Sequence, residues 1–346
     1  MSYEIGRAAL NLQWTERVAR TEYNDNWEIV RHITGKDPRV DPTATKEFND
    51  AVRLDYLWTV NDGPVPWAER GRVCDMGHAV YVEDGSDYRK AGANPFETTE
   101  EVLSFNAVQE YGIPDFGEVG DYYERWYQET QAANDQVISG GYYKTLVSGA
   151  IEAFGWEMLL RALGEDADRF GEQALGSIFE LSMRHYEAWA ATSIEFFMCH
   201  DDMVWTEGPF ANPTFYRNHI FPRYAELWKP LRAAGKRIIF CSDGTFDMFL
   251  DDLARAGADG FCFEPTNDLE MMVRDYGKTH VLMGGADCRT LTFGSKEDIE
   301  RELRWVFGLA RDCPGFVFAT GNHLPANIPL ENALFYFELA EELGRR

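Results

Sequence analysis

The sequence predicts an α/β fold in which β-strands and α-helices alternate around a closed barrel. In the last third of the chain, four short apolar runs each end at polar residues, and amphipathic stretches separate them. The runs and their polar ends are 237–240 with 241–244, 260–263 with 264–265, 281–285 with 286–287, and 315–320 with 321–323. Short apolar runs bounded by Gly and Pro are typical of buried parallel strands. The carboxyl ends of such strands carry the active site in β/α barrels, so the pattern predicts an enzyme.

The rest of the chain continues this alternation. Strands are predicted at 18–23, 56–60, 142–147 and 194–198, and helices at 25–35, 43–54, 121–136, 151–163, 167–191, 213–234, 245–257, 268–277 and 296–311. A β-ribbon is predicted between 73 and 88, followed by a helix with Thr98 or Thr99 as its N-cap. Because no repeat or long linker interrupts the series, we predict one barrel domain over 1–346, with an irregular part, 1–135, and a regular part, 136–346.

Composition limits the classes of function. The chain has 346 residues, 45% of them hydrophobic, and can bury a large core. Its net charge of −25 argues against nucleic acid or an anionic membrane as a partner and favours a small-molecule substrate without many negative charges. Six cysteines without paired spacing, and no apolar run of membrane-spanning length, predict a cytoplasmic location.

The segment from His200 to Asp202 follows the strand predicted at 194–198. Two acids beside a histidine at a strand end can ligate a metal, orient a catalytic base or bind a cation. The alternative is structural: Asp201 or Asp202 caps a helix or pairs with a basic neighbour such as Arg217 or Arg223. The sequence leaves both interpretations open.

A second set of polar residues has the chemistry of a zinc site. Cys241 and Asp243 alternate along one strand and so share a face, while Glu264 and His323 follow neighbouring strands. Thiolate, carboxylate and imidazole are zinc ligands. Alternatively, Cys241 is a small buried hydrophobe and Asp243 is an N-cap. The metal hypothesis depends on these side chains meeting at one rim of the barrel.

Other motifs carry less information. The Cys-x3-His pair of Cys74 and His78 has no second pair beside it, so a structural zinc site is not predicted there. Glu331 and Asn332 lie at a helix start, where capping explains them equally well. The chain has no glycine-rich phosphate loop, no GxSxG elbow and no dinucleotide fingerprint, which argues against kinases, serine hydrolases and nicotinamide oxidoreductases.

These strand ends and their spacing resemble the uroporphyrinogen decarboxylase (URO-D) superfamily over roughly 145–340. The stretches that carry the resemblance are 200–202, 208–209, 212–216, 221–224, 241–244, 257–260, 282–287 and 329–332. The resemblance implies a (β/α)8 TIM barrel. It also implies one of two chemistries: cofactor-free porphyrinogen decarboxylation, or zinc-dependent exchange of methyl groups with a corrinoid protein or a thiol.

Two departures from the decarboxylase pattern favour the methyltransferase branch. The arginine-rich motif with which decarboxylases grip substrate carboxylates corresponds here to 20–27, which is acidic and aromatic. The late histidine of the decarboxylases aligns with Asn322. The zinc ligands of the methyltransferases correspond to Cys241, Asp243 and Asn322, so the resemblance implies a rearranged Zn²⁺ site. Its expected ligands are Cys241, Asp243, Glu264 and His323.

The resemblance therefore implies a methyltransferase that moves a methyl group from a small donor to a corrinoid (cobalamin) on a partner protein, or to a thiol. A methoxylated aromatic donor, and hence O-demethylation, suits the aromatic first half. The expected catalytic residues are Glu22, His200, Asp202 and Asp287. The expected substrate-binding residues are Tyr23, Trp27, Trp58, Asn61 and Asn322.

Two other functions stay open. A decarboxylase would place arginines at the barrel mouth, with Arg20, Arg217 and Arg223 as candidates, and would need no metal. A non-catalytic subunit that binds a corrinoid protein would have a closed mouth. Homodimers are common in the superfamily, and the sequence neither supports nor opposes one here.

Overall fold

The strands form a parallel sheet that curls into a barrel. The computed structural model describes residues 2–74 and 94–346. Its strands are β1 (Ala19–Arg20), β2 (Tyr56–Leu57), β3 (Val137–Ile138), β4 (Gly140–Tyr142), β5 (Phe196–His200), β6 (Arg237–Ser242), β7 (Gly260–Phe263), β8 (Val281–Ala286) and β9 (Phe316–Thr320). Seven are paired in the order β1-β9-β8-β7-β6-β5-β4, and β2 pairs with β3. Since Ser139 alone separates β3 from β4, the two form one continuous segment with a neighbour on each side, and the barrel has eight strand positions.

Asp55 closes the barrel between β1 and β2. Its backbone N–H donates to the carbonyl of Arg20 at 2.8 Å, and its carboxylate accepts from the N–H of Arg20 at 3.0 Å. Arg17 binds the same carboxylate with two nitrogens, each at 2.6 Å. The predicted (β/α)8 barrel is therefore confirmed, with an ion pair where β1 and β2 lack ladder pairing.

The helices surround this barrel. They are α1 (Ser2–Leu10), α2 (Trp27–Thr34), α3 (Ala44–Ala51), α4 (Thr99–Leu103), α5 (Ala107–Tyr111), α6 (Phe116–Ala133), α7 (Val147–Glu165), α8 (Ala167–Arg169), α9 (Leu175–Ala190), α10 (Pro213–Phe215), α11 (Phe221–Ala233), α12 (Leu250–Ala256), α13 (Leu269–Tyr276), α14 (Cys288–Phe293), α15 (Lys296–Ala310) and α16 (Leu330–Leu343). The predicted cap at Thr98 is confirmed, since Thr98 and Glu101 form a capping box. None of the helices within 2–74 and 94–346 combines the length and apolar character that crossing a membrane requires.

Side chains alternate between the two faces of each strand, so every second residue points into the barrel. Phe196 and Met198 of β5, and Ile239 and Cys241 of β6, belong to one buried cluster inside the barrel. Two residues further along these strands come His200 and Asp243, which therefore share the inward face at the carboxyl ends. The apolar side chains thus fill the interior of the barrel directly below the polar side chains at its rim.

One predicted strand needs correction, and one predicted ribbon lies almost wholly outside the residues that the structure describes. The strand predicted at 142–147 is wrong: β4 ends at Tyr142, and α7 begins at Val147. Gly140 and Gly141 weaken the strand signal, yet a Cβ on Gly141 would lie 2.3 Å from the carbonyl oxygen of Thr59, so the packing requires glycine there. The ribbon predicted at 73–88, and the His78 partner of Cys74, lie almost wholly outside the described residues.

Candidate active site at the barrel rim

Three side chains form a compact group at the carboxyl ends of β5 and β6. One ligand atom from each of His200, Asp202 and Asp243 lies within 4.8 Å of the other two. His200 Nε2 and Asp202 Oδ1 lie 3.2 Å apart. The backbone N–H of Asp243 also donates to Asp202 Oδ1 at 3.0 Å, which fixes the two strand ends relative to each other.

Tyr143 holds this group from the end of β4. Its hydroxyl donates a hydrogen bond to Asp202 Oδ2. Its ring stacks on the His200 imidazole, with ring centroids 3.9 Å apart and planes 21° from parallel. On another side Trp58 contacts His200 edge to face, and Tyr23 lies against Trp58 with its centroid 5.9 Å away. The rings of Tyr143 and Trp58 therefore pack against the imidazole and limit its rotation.

Asn322 connects this group to further polar side chains. Its amide nitrogen lies 3.3 Å from Asp243 Oδ1 and 3.1 Å from Glu264 Oε1. Its carbonyl oxygen lies 2.6 Å from His323 Nδ1. Asp202, Asp243, Glu264 and His323, which are distant along the chain, thus lie in one connected set of contacts at the rim. Of the four, Asp202 and Asp243 belong with His200 to the group whose ligand atoms converge.

The pKa shifts at the rim follow from burial and crowded charge. Burial raises the pKa of Asp243, and the nearby carboxylates of Asp202 and Glu264 raise it further. Burial acts against ionisation of Asp202 and His200 as well, but the attraction between the two outweighs it. As a result the pKa of Asp202 is lowered and the pKa of His200 is raised. At the rim, one imidazole therefore faces several carboxylates, and a bound cation would balance the excess negative charge.

The His200 imidazole is available to a ligand. The residue is 9% exposed, and neither ring nitrogen makes a well-directed hydrogen bond, although Nε2 lies near Asp202. A buried polar atom without a hydrogen bond is costly unless another group satisfies it. One imidazole and two carboxylates are a donor set that suits zinc and similar divalent ions. A metal at this position therefore fits the residues present.

A cleft of about 360 Å³ opens from this rim. Its lining residues are Ile151, Trp156, Asp202, Val204, Trp205, Thr206, Glu207, Asp243, Gly244 and Glu264. Four of the ten are acidic, and none is Lys or Arg. Among the described residues the cleft is thus walled by carboxylates and indole rings.

The arginines that a decarboxylase would use have partners elsewhere. Arg20 is buried and pairs with Glu341 at 2.8 Å. Arg217 pairs with Asp252 at 3.1 Å, and Arg223 donates to two backbone carbonyls. None of the three lines the cleft, so they do not supply the arginines that the decarboxylase alternative requires there.

Asp201 has the structural role that the sequence left open. Its carboxylate accepts hydrogen bonds from the N–H groups of Val147 and Ser148, at 3.2 and 2.6 Å, and from the hydroxyl of Tyr224. It thereby caps the start of α7 instead of the helix that follows it. Neither Arg217 nor Arg223 is its partner.

Two predicted catalytic residues lie in other surroundings. Glu22 accepts hydrogen bonds from the backbone N–H and hydroxyl of Thr320 and from the hydroxyl of Tyr336. Asp287 caps α14 and pairs with Arg289 at 2.7 Å. Both follow barrel strands, but their hydrogen bonds go to structural partners, not to His200 or Asp243.

Three other predicted site residues, Cys241, Trp27 and Asn61, also lie outside the group formed by His200, Asp202 and Asp243. Cys241 lies one layer below the rim, where a hydrogen bond with Cys262, its partner in register on β7, and burial raise its pKa. Trp27 is 40% exposed beneath the guanidinium of Arg39. Asn61 accepts from the N–H of Gly63 and contacts Tyr122, so it shapes a loop.

Sequence reasoning missed Tyr143, Trp156 and Trp205. Tyr143 was placed inside a strand, although it directly follows β4 and so occupies a strand end. Trp156 lies on α7, where an aromatic residue is typical of a core. Trp205 gave a usable signal, since it follows the polar strand end at 200–202 and so falls in a loop on the functional side of the barrel; in the structure it is 46% exposed.

A closed (β/α)8 barrel with a polar cluster at the carboxyl ends of its strands has the layout that barrel enzymes share. A family model described as uroporphyrinogen decarboxylase (URO-D) matches residues 151–343, and the chain belongs to this family. The uroporphyrinogen decarboxylase of Pelobacter propionicus is 27% identical over 168 residues, 49% of this chain and 48% of that protein. That of Carboxydothermus hydrogenoformans is 25% identical over 202 residues, 58% and 56% of the two chains.

The chain thus spans about half the length of the curated relatives that it matches. Among solved structures, a methyltransferase from Methanosarcina mazei aligns over 99% of this chain and 98% of its own, with a TM-score of 0.65. The identity is 17%, so this likeness supports the fold.

Glu22 gives a prediction about stability and pH. Burial raises its pKa to about 7, despite the hydrogen bonds that it accepts. A raised folded-state pKa means that the protonated form is favoured by folding, so stability is lost as the pH rises from the unfolded value through about 7. We expect Glu22→Gln to remove this loss, which amounts to at most about 3 kcal/mol between pH 5 and pH 8.

Urea unfolding at four pH values between 5 and 8 measures this loss. Glu157→Gln is the matched control, because the side chain of Glu157 is 73% exposed, and it should retain the pH profile of the unmodified protein. A Glu22→Gln variant with that same profile would show that Glu22 is already ionised without cost.

Proposed function

We propose that the protein is a methyltransferase that moves a methyl group from a small donor to a corrinoid protein or a thiol, with a divalent metal at the rim. The observation that carries the proposal is the cleft itself: among the residues that the structure describes, four carboxylates and two indole rings line it, and no lysine or arginine does. A porphyrinogen with many carboxylates would be repelled by this surface. A neutral or cationic methyl donor would not.

The relatives named as decarboxylases match only about half of their own length, so their activity does not carry over by similarity alone. The positions of Arg20, Arg217 and Arg223 count against decarboxylation of a polyanion. The solved methyltransferase aligned over the whole chain is compatible with the proposal. The open cleft of about 360 Å³ counts against a non-catalytic binding subunit, for which a closed mouth is expected.

In this proposal His200, Asp202 and Asp243 hold the metal. Glu264 and His323 lie one hydrogen bond further out, through Asn322. The sequence-based set of Cys241, Asp243, Glu264 and His323 is thus revised, because Cys241 lies below the rim. When bound, the metal would supply a Lewis acid that makes an oxygen, nitrogen or sulfur atom a better leaving group.

The side chains around the metal have separate roles. Tyr143 fixes Asp202 through its hydroxyl and His200 through its ring, so that two ligands are held before the ion arrives. Asn322 keeps Asp243 and Glu264 together despite their charges. Glu264 is then placed to exchange a proton with a leaving group in the cleft.

Metal content tests the rim. We expect protein purified without a tag to contain about one divalent ion per chain, the stoichiometry of a single catalytic site. His200→Ala should lower that content at least about tenfold, because a buried ligand is lost. Asp312→Asn is the control, since Asp312 is 81% exposed and precedes β9 at the opposite end of the barrel. Equal metal content in all three proteins would refute the assignment.

Methyl transfer itself is followed by absorbance. Protein is mixed with chemically reduced cob(I)alamin and a panel of methyl donors, and methylcobalamin formation is recorded. A rate above the protein-free reaction for at least one donor supports the proposal. No enhancement with cob(I)alamin or with a simple thiol, across neutral and cationic donors, would refute it.

A further inference from the structure

We propose that the methyl donor is a cation, an onium compound whose methyl groups are carried on positively charged nitrogen or sulfur. The proposal rests on the methyltransferase function above and specifies its substrate class. It replaces the methoxylated aromatic donor that the sequence suggested. Three observations carry it: an aromatic corner in the cleft, carboxylates in the same lining that form no ion pair among the described residues, and a buried imidazole beside two of the lining aspartates.

The aromatic corner consists of Trp156 and Trp205, which line the cleft, together with Phe210, which packs against both. The ring centroids of the two tryptophans are 5.7 Å apart, and Phe210 lies 5.4 Å from Trp156 and 5.7 Å from Trp205. Trp156 and Phe210 are nearly perpendicular, at 89°. The three rings contact one another, so a cation would bind over the parts of the two indoles that line the cleft and not between the rings, where a quaternary ammonium or sulfonium group gains cation–π attraction.

The backbone fixes the position of Trp205. Its N–H and carbonyl bond to the carbonyl and N–H of Gly208, at 2.8 and 2.9 Å, across a turn in which Gly208 has φ +113°. Gly244 packs against the same turn, where a Cβ would lie 2.4 Å from the carbonyl oxygen of Trp205. The backbone of Trp205 is thus held by hydrogen bonds although the residue is nearly half exposed, and a fixed backbone lowers the entropy cost of binding.

The carboxylates that face this corner keep a net negative charge even with a metal present. A divalent ion on His200, Asp202 and Asp243 balances the two aspartates and leaves Glu207 and Glu264. Within residues 2–74 and 94–346, neither glutamate forms an ion pair with Lys, Arg or His. A cation entering the cleft would supply the missing charge.

The inner end of the cleft is also built for a ligand. His200 is nine-tenths buried, and neither of its ring nitrogens makes a well-directed hydrogen bond, although Nε2 lies 3.2 Å from Asp202 Oδ1. Since Asp202 and Asp243 lie beside it and line the cleft, a donor between the aromatic corner and the rim would bring a methyl group close to the reacting centre.

The chemistry balances for such a donor. The nucleophile, a Co(I) corrinoid or a thiolate, attacks the methyl carbon with an electron pair and forms a new Co–C or S–C bond. The C–N or C–S bond of the onium group breaks, and its electron pair stays on nitrogen or sulfur. The leaving group departs as a neutral amine or sulfide, so for this class of donor neither a proton from Glu264 nor Lewis-acid activation of the leaving atom is needed.

Calorimetric titration of the metal-containing protein tests the proposal without turnover. The probes are choline, trimethylsulfonium and 3,3-dimethyl-1-butanol, the last being a neutral analogue of choline with the same shape. We expect at least one cation to bind about tenfold more tightly than the neutral alcohol. The two cations together decide between ammonium and sulfonium as the preferred group.

Variants locate the binding. Trp205→Ala and Glu264→Gln should each weaken cation binding at least about fivefold, and Glu264→Gln should leave binding of the neutral alcohol unchanged. Trp305→Ala is the matched control, because Trp305 is 48% exposed, against 46% for Trp205, and lines a different cleft. It should bind like the unmodified protein.

Equal affinity for the cations and the alcohol, or no binding of either cation, would overturn the proposal. The outcome of the cation titration can be distinguished from the outcome of the methyl-transfer assay. If a methoxylated donor supports methyl transfer while cations do not bind, the function stands and the cationic donor is refuted. If cations bind at Trp205 but no donor methylates cob(I)alamin or a thiol, the site stands and the methyltransferase function is refuted.

Discussion

Asp243→Asn should lower methyl transfer by about 10²- to 10³-fold, a loss typical of removing a group that acts at the reacting centre. Asp243 is one of the three residues whose ligand atoms lie within 4.8 Å of one another, and it lines the cleft. An amide is a far weaker metal ligand than a carboxylate. Steady-state methyl transfer with saturating donor measures the loss.

The same substitution should leave the metal-free fold as stable as before, or more stable. Asp243 lies beside Asp202 and Glu264, which repel it, so a neutral side chain relieves that repulsion. Loss of activity without loss of stability distinguishes a functional residue from a structural one. Asp312→Asn should change neither quantity. Activity of Asp243→Asn within threefold of the unmodified protein would exclude Asp243 from the reaction.

Arg17→Met should lower the free energy of unfolding by about 3–5 kcal/mol, the usual cost of removing one partner from a buried ion pair. The carboxylate of Asp55 is fully buried and receives two nitrogens of Arg17 at 2.6 Å. Without Arg17 its remaining partner is the N–H of Arg20. Because this pair joins β1 to β2, the loss also weakens barrel closure.

Urea unfolding at pH 7 measures the effect of Arg17→Met. Arg304→Met is the control, since Arg304 is 53% exposed and pairs with Glu300 on α15, where such pairs contribute about 0.3–0.5 kcal/mol. A similar small effect from both variants would show that water or another residue compensates Asp55.

The sequence predicted the barrel because the later strands are apolar, short and separated by amphipathic helices. The strand predicted at 142–147 was wrong, because the glycines Gly140 and Gly141 have low strand propensity and yet begin β4, which pairs with β5 and packs against Thr59. Strand propensity reports local preference, whereas these glycines are set by contacts with residues far along the chain. The ion pair that closes the barrel between β1 and β2 was missed for the same reason.

The sequence predicted that the site lies at the carboxyl ends of the strands, and this location follows from the strand topology alone. His200, Asp202 and Asp243 meet because consecutive parallel strands end at one rim. Distinguishing Asp201, which caps α7, from Asp202, which faces the cleft, required the fold, since both are acids beside His200. Trp156 and Trp205 could not be paired from sequence, because one lies on a helix and the other in a loop.

The most direct measurement offers the protein both chemistries in parallel. One reaction contains reduced corrinoid with a methyl donor and is followed by methylcobalamin absorbance, and the other contains uroporphyrinogen and is followed by carbon dioxide release. An acidic, aromatic rim predicts methyl transfer that depends on Asp243 and no release of carbon dioxide. Release of carbon dioxide from uroporphyrinogen, with no methylation of corrinoid or thiol, would contradict the assignment of this rim.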